Sequence, residues 1–416
     1  MSEPTEGAQP PPANPLGHGP VLLLTGARLL DGRVVDVRIS GDRIQAVATV
    51  GSLGPLPALP GQPTVTTGAR IDLSGYLLLP APAEPHGHYD SALAAAPPEP
   101  APDGPAELVR RATESALTSL GYGATAQRTH VRIGDAHGLH RLEAVLTARQ
   151  ALRGLAELQA VAMPRLLTGR AGADGRALLR DALKLGADAA GGCPDLDPDP
   201  VGYVQAVLDA AVEADCPVDL HTNAADQAQL TRLVAVLAPH LPRVTLGPCS
   251  ALPPGGAGVL AGAGIRVACL PQNGGCTGLE DPPIGLRPSL VREFVRARVA
   301  LTAGAGALRD PSNPVGRADP LDAARLLAAS GALSPEAAYD AVSAQARTTL
   351  GLPPVRVDAG FPAELLAVRG DTLDGALSGG HSRLVVHCGR IVSRTSAVRE
   401  FADTVTLALP RQNHPG

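Results

Sequence analysis

The sequence has no tryptophan, an aromatic fraction of 2%, and a single lysine, Lys184. A core without large rings must be filled by Ala, Leu and Val. No apolar run reaches the roughly 20 residues needed to cross a bilayer, so no membrane partner is expected. No block of basic residues occurs and the net charge is −5, which argues against a nucleic-acid surface. None of the six cysteines, Cys193, Cys216, Cys249, Cys269, Cys276 and Cys388, forms a C-x-x-C pair. They read as reduced, buried thiols in a cytoplasmic protein, without disulfides or a zinc knuckle. The stretch from Met1 to Gly19 lacks both an apolar centre and a basic start, and reads as a disordered tail in place of a signal peptide.

What is present is a 44% apolar composition over 416 residues, with 47 glycines and 41 prolines. That is enough for one large domain with a smaller one, rich in turns. From Val21 to Val47, apolar runs are separated by Asp31-Gly32 and Gly41-Asp42, the dipeptides of hairpin turns. The segments Ala363 to Val368, Leu384 to Val386 and Gly389 to Val392 repeat this style near the other end. One small β-sandwich built from both termini is predicted, over 20–79 and 353–410. Between them, 80–352 alternates short strands with helical stretches: Glu107 to Leu120 ending at Gly121, Asp174 to Lys184 with Asp174 as N-cap, and Pro335 to Leu350 as one helix. Eight strands, counted with the one that runs into His86, predict an α/β fold, a (β/α)8 TIM barrel with its working groups at the strand C-termini.

The organising motif is Glu84-Pro85-His86-Gly87-His88-Tyr89-Asp90. Residues i and i+2 of a strand share a face, so His86 and His88 can reach one point, as two ligands of one metal must. Further marked stretches are Arg128-Thr129-His130-Val131-Arg132, Leu158-Gln159-Ala160-Val161-Ala162-Met163-Pro164, Val218-Asp219-Leu220-His221-Thr222-Asn223, Val244-Thr245-Leu246-Gly247-Pro248-Cys249 and Arg309-Asp310-Pro311-Ser312-Asn313-Pro314-Val315-Gly316. In this order they resemble the amidohydrolase superfamily, in particular its cytosine deaminase-like branch, over nearly the whole chain beyond the tail.

The resemblance implies a divalent metal, zinc or iron, held by His86, His88 and His221 with an aspartate from the eighth strand. It also implies a glutamate after the fifth strand, a histidine after the sixth, a second carboxylate on the eighth and a glutamine after the third. The matching positions here are Gly306 for the metal aspartate, Ala224, Pro248 and Ala307 for the proton-transfer groups, and Arg165 for the glutamine. The expectation is an amidohydrolase fold that keeps three histidines and has lost deaminase chemistry, with the metal weakly bound or absent. The resulting role is binding a small-molecule ligand or a partner, as a homo-oligomer or in a hetero-oligomer with an active homologue. The alternative is an active metal-dependent hydrolase of altered specificity using a three-histidine site. His130, Arg132 and Arg165 are expected to shape the substrate site. The two arginines would either favour an anion or pair with Asp195 or Asp197. Those two carboxylates, with Asp199, lie on a loop read as solvated unless one approaches the metal.

Overall fold

The computed structural model describes residues 21–56, 58–59, 62–66, 68–94, 104–134, 138–272 and 287–397. The predicted tail, Cys276 and His137 lie outside these ranges. Eight parallel strands stand side by side in sequence order: Ala83–Gly87, Ala126–Ile133, Glu157–Pro164, Ala189–Gly192, Val218–Thr222, Val244–Pro248, Arg266–Cys269 and Ala300–Ala303. Their residues are almost all buried, as in a parallel sheet covered by helices on its outer side and filled within. Four of the covering helices start at an Asp or Ser cap followed by Pro or a polar turn. Asp199 accepts from the Gly202 amide before Pro200–Glu213, Asp226 from Gln229 before Gln227–Leu237, and Ser334 from Ala337 before Pro335–Val342. Each such cap satisfies an amide that the helix itself cannot.

The barrel closes between its first and eighth strands through one buried side chain. Glu84 accepts from the amides of His86 (3.0 Å) and Ala305 (2.7 Å), and the His88 amide reaches the Gly306 carbonyl at 3.3 Å. A side chain at Gly304 would push the Glu84 carboxylate out of place, because its Cβ would lie 2.2 Å from it. Burial pushes the Glu84 carboxyl up to about 7, against the backbone amides that lower it.

The ends of the described chain share a second, mixed sheet, also of eight strands. Its order is Arg390–Thr395, Arg383–His387, Leu365–Arg369, Tyr76–Pro80, Val21–Arg28, Val34–Ser40 and Arg43–Thr49, with Gly68–Asp72 beside Val21–Arg28. Alternation by two assigns its faces. Leu78, Leu365, Ala367, Leu384 and Val386 join Leu24, Val37, Ile39 and Ile44 in a core of the sheet's own. Leu77, Leu79, Leu366, Val368 and Val385 pack with Leu321, Leu327 and Tyr339 of the barrel helices. Arg383 also grips both oxygens of Asp319 at 2.8 Å, and Asp319 caps Pro320–Ala329.

Three local expectations are corrected. Gly172, not Asp174, is the residue before Ala173–Leu185; Asp174 lies in the first turn, where a carboxylate favours the helix N-terminus. The helix expected over Pro335 to Leu350 is two helices, Pro335–Val342 and Ala344–Thr349, broken at Ser343 (φ −119°, ψ −88°), whose hydroxyl turns back to the Tyr339 carbonyl. Cys388 is not buried: it is exposed on the turn between the last two strands, while the other described cysteines are buried.

Candidate metal centre

His86 is in the first barrel strand, His88 just beyond it, and His221 in the fifth. All three are fully enclosed, at 0%, 1% and 0% exposure. His86 Nε2 lies 3.1 Å from His221 Nδ1, and one nitrogen from each of the three rings lies within 4.8 Å of the others. His86 Nδ1, His88 Nε2 and His221 Nε2 have no hydrogen-bond partner. Burial, reinforced by the neighbouring imidazoles, drives His86 and His221 well below the ordinary histidine range, and burial takes His88 down to about 3. The rings are therefore neutral at physiological pH, which is the form that binds metal. Orphaned nitrogens of neutral imidazoles gathered in one buried spot fit a zinc- or iron-class ion.

The eighth strand adds no side chain of that kind. Beyond Ala303 run Gly304, Ala305, Gly306 and Ala307, all buried. Gly306 has φ +72°; a Cβ there would meet Leu270 methyls at 3.4 and 3.5 Å, ordinary contact. A Cβ has room there, but the left-handed backbone strains any side chain and favours the glycine. Ala224 is buried at φ +53°, and Pro248 closes the sixth strand after a cis peptide bond.

A second cluster backs the first. The His130 ring lies over His86 with centroids 3.8 Å apart. Asp219, fully buried two residues before His221 on the same strand face, takes Arg128 Nη1 on Oδ2 at 3.0 Å. Its Oδ1 is 3.2 Å from His130 Nε2, outside hydrogen-bond geometry. Burial pushes the Asp219 carboxyl up, but His130 and Arg128 outweigh it and hold it below the usual range. Arg128 also donates to Gln159 Oε1 at 2.9 and 3.2 Å. His86, His130 and Asp219 themselves bring one potential ligand atom each within 4.8 Å of one another.

Sequence reasoning missed Asp219 as a site residue. The signal was its i, i+2 spacing from His221, the same spacing that singled out His86 and His88. His130 is 0% exposed, as His86 and His221 are, with its ring against His86. Arg132 pairs with neither Asp195 nor Asp197: its Nε and amide bind Asp90 Oδ2 at 2.9 and 3.2 Å. Arg165 is exposed just beyond the third strand. Of the aspartates of the Pro-rich segment, read as a solvated loop, only Asp199 is exposed. Asp195 accepts from Thr222 Oγ1 and the Asn223 amide, both at 2.8 Å. Asp197, 5% exposed, accepts from the Leu167 amide at 2.9 Å and from Thr168. Asp195 thus fastens the segment after His221 and is taken up in doing so.

No family model matches the chain. A curated relative, the pterin deaminase of Rhizobium rhizogenes, is 27% identical over 353 residues, which cover 78% of each chain. Among solved structures, N-isopropylammelide isopropylaminohydrolase from Burkholderia multivorans superposes with a TM-score of 0.74 at 25% identity, over 90% of this chain and 99% of that one. The 5-methylcytosine deaminase of Klebsiella pneumoniae, liganded with 5-fluorocytosine, gives 0.76 at 21% identity, over 92% and 100%. An amidohydrolase from a Sargasso Sea sample gives 0.67 at 17%, over 94% and 96%.

Proposed function

We propose that this chain, an amidohydrolase-superfamily protein by its sequence and structural neighbours, binds a small cyclic amide or amidine at the barrel mouth without deaminating it. The observation that carries the reading is the side-chain inventory at four positions on three strand ends: Ala224, Pro248, Gly306 and Ala307 hold no group that takes or gives a proton. The relatives named above act on pterin, ammelide and cytosine derivatives, so rings of this class are the ligands to try.

His86, His88 and His221 would hold a zinc or iron ion, which when bound acidifies a water or polarises a carbonyl. Three neutral imidazoles leave the ion's charge uncompensated, and Gly306 offers no carboxylate, so binding is weak. General acid and base groups each supply about 10²- to 10⁴-fold in rate. Losing the base at 224, the acid at 248 and the carboxylate at 307 together leaves little turnover.

One observation favours a second reading, an active hydrolase of altered specificity. Asp219 places a buried oxygen 3.2 Å from His130 Nε2 and beside His86, a carboxylate the eighth strand does not provide. Elemental analysis of the purified chain separates the two. The first reading expects well under one zinc or iron per chain, and little change on His221→Ala. One tightly held ion per chain, lost in both His221→Ala and Asp219→Asn, would contradict the weak binding that the first reading expects and favour the second.

A further inference from the structure

The second sheet carries a constellation that the barrel site does not use. Glu364 precedes the strand Leu365–Arg369, and His387 ends the neighbouring antiparallel strand Arg383–His387. The Leu365–Val386 pairing puts Glu364 opposite His387. His387 Nδ1 lies 2.8 Å from Glu364 Oε2, and Cys388 Sγ lies 3.5 Å from His387 Nε2. Glu364 Oε1 takes the Cys388 amide at 2.9 Å. Glu364 and His387 are buried, at 6% and 8% exposure, and Cys388 is exposed.

The order sulfur, imidazole, carboxylate is the arrangement of an activated nucleophile, its proton-exchanging partner and the group that orients that partner. We propose that Cys388 is a nucleophilic thiol that exchanges with low-molecular-weight disulfides, with His387 held against its sulfur by Glu364.

Three features support this assignment. Burial works against a charged His387, but hydrogen bonds with Cys388 and Glu364 raise it to about 10, so the ring is an imidazolium at neutral pH. The 3.5 Å contact sets the proton-exchanging nitrogen of this ring directly against the sulfur that attacks. The sulfur is also held in place. The Gly389 amide reaches the Ala363 carbonyl at 3.2 Å, and a Cβ on Gly389 would lie 1.9 Å from the Gly41 carbonyl oxygen, so the turn is wedged against the sheet. Finally, Cys388 has φ +47°, a conformation that Asn or Gly adopts readily and cysteine rarely does.

Both oxygens of Glu364 are engaged within the cluster, so the carboxylate orients the ring and is not free as a metal ligand. That leaves Nε2 and Sγ, too few donors for a structural metal site. The exchange itself balances. The Cys388 S–H bond and the S–S bond of the small disulfide break, and Sγ bonds to one of its sulfurs. The proton ends on the departing thiolate, giving a mixed disulfide and one free small thiol. The protein sulfur is oxidised and the small disulfide reduced.

The test treats the full chain with glutathione disulfide at pH 7 and maps mixed disulfides by peptide mass spectrometry. Cys388 is expected to react about tenfold faster than N-acetylcysteine in the same solution, and about tenfold faster than in His387→Gln. Glu364→Gln should fall between wild type and His387→Gln. Buried Cys216, Cys249 and Cys269 should stay unmodified. The N-acetylcysteine comparison needs no variant, so it holds even if a substitution disturbs the sheet. A Cys388 rate no faster than N-acetylcysteine overturns the proposal. So does reactivity that appears only after EDTA, which would make the cluster a metal site.

Discussion

At the scale of single residues, charge buried in the barrel decides more than charge on its surface. Arg128 and Asp219 are 2% and 0% exposed and share a hydrogen bond at 3.0 Å. Removing one partner of such a pair leaves the other charged and desolvated, at a cost of about 3–5 kcal/mol. Asp219→Ala should lower stability by that order in urea denaturation, and a loss under about 1 kcal/mol would show that water reaches Arg128. His387 gives a pH signature. Its folded value is near 10 against an ordinary 6.5, so folding favours the proton. The resulting stability is full below pH 6.5 and fades as pH rises towards 10. Wild type should therefore exceed His387→Gln most at pH 6 and converge with it near pH 10. A gap that widens with pH would contradict the assignment. Histidines two residues apart along an extended chain were legible in the sequence, since the His86–His88 spacing alone predicts a shared face. Pairings that depend on strand register were not. Arg132 with Asp90, and Glu364 with His387, each join a strand residue to one just outside the neighbouring strand, an alignment no local pattern reveals.

At the scale of elements, the seam between the first and eighth barrel strands depends on the absence of a side chain. Glu84 ties the seam together only because Gly304 leaves room for its carboxylate. Gly304→Ala should cost on the order of 1–3 kcal/mol through overpacking, read as a lower urea midpoint. An unchanged midpoint would mean that the seam yields easily. The barrel strands and most helices were legible because apolar runs, prolines and capping residues mark them locally. The break at Ser343 was not, since Ala-rich sequence continues across it and only the hydroxyl bond to Tyr339 marks the spot. The hairpin of Leu308–Asp310 and Asn313–Arg317 was read only as a motif, because its strands are too short to show alternation.

At the scale of the whole molecule, the barrel and the terminal sheet share one organisation, in which a strand run of consecutive leucines faces two cores. Leu77 and Leu79 pack against barrel helices while Leu78 turns to the sheet's own interior. That explains why Tyr76 to Leu79 reads as unbroken apolar sequence. Among the described residues no helix is long and apolar enough to cross a membrane. The fold was legible because eight strand–helix units and two hairpin-rich ends leave few other arrangements. The site was legible only where a side chain is present. The positions without a polar side chain, 224, 248, 306 and 307, needed the resemblance to be noticed at all, and Asp219, although two residues from His221, stood out only through its contacts. The central claim is that these four positions have removed proton transfer from a barrel that still gathers three imidazoles. The most direct measurement is ammonia release by the full chain supplied with zinc or iron, across cytosine and related cyclic amides. The prediction is no release above a protein-free control. Release that saturates with substrate and disappears in His221→Ala would contradict it.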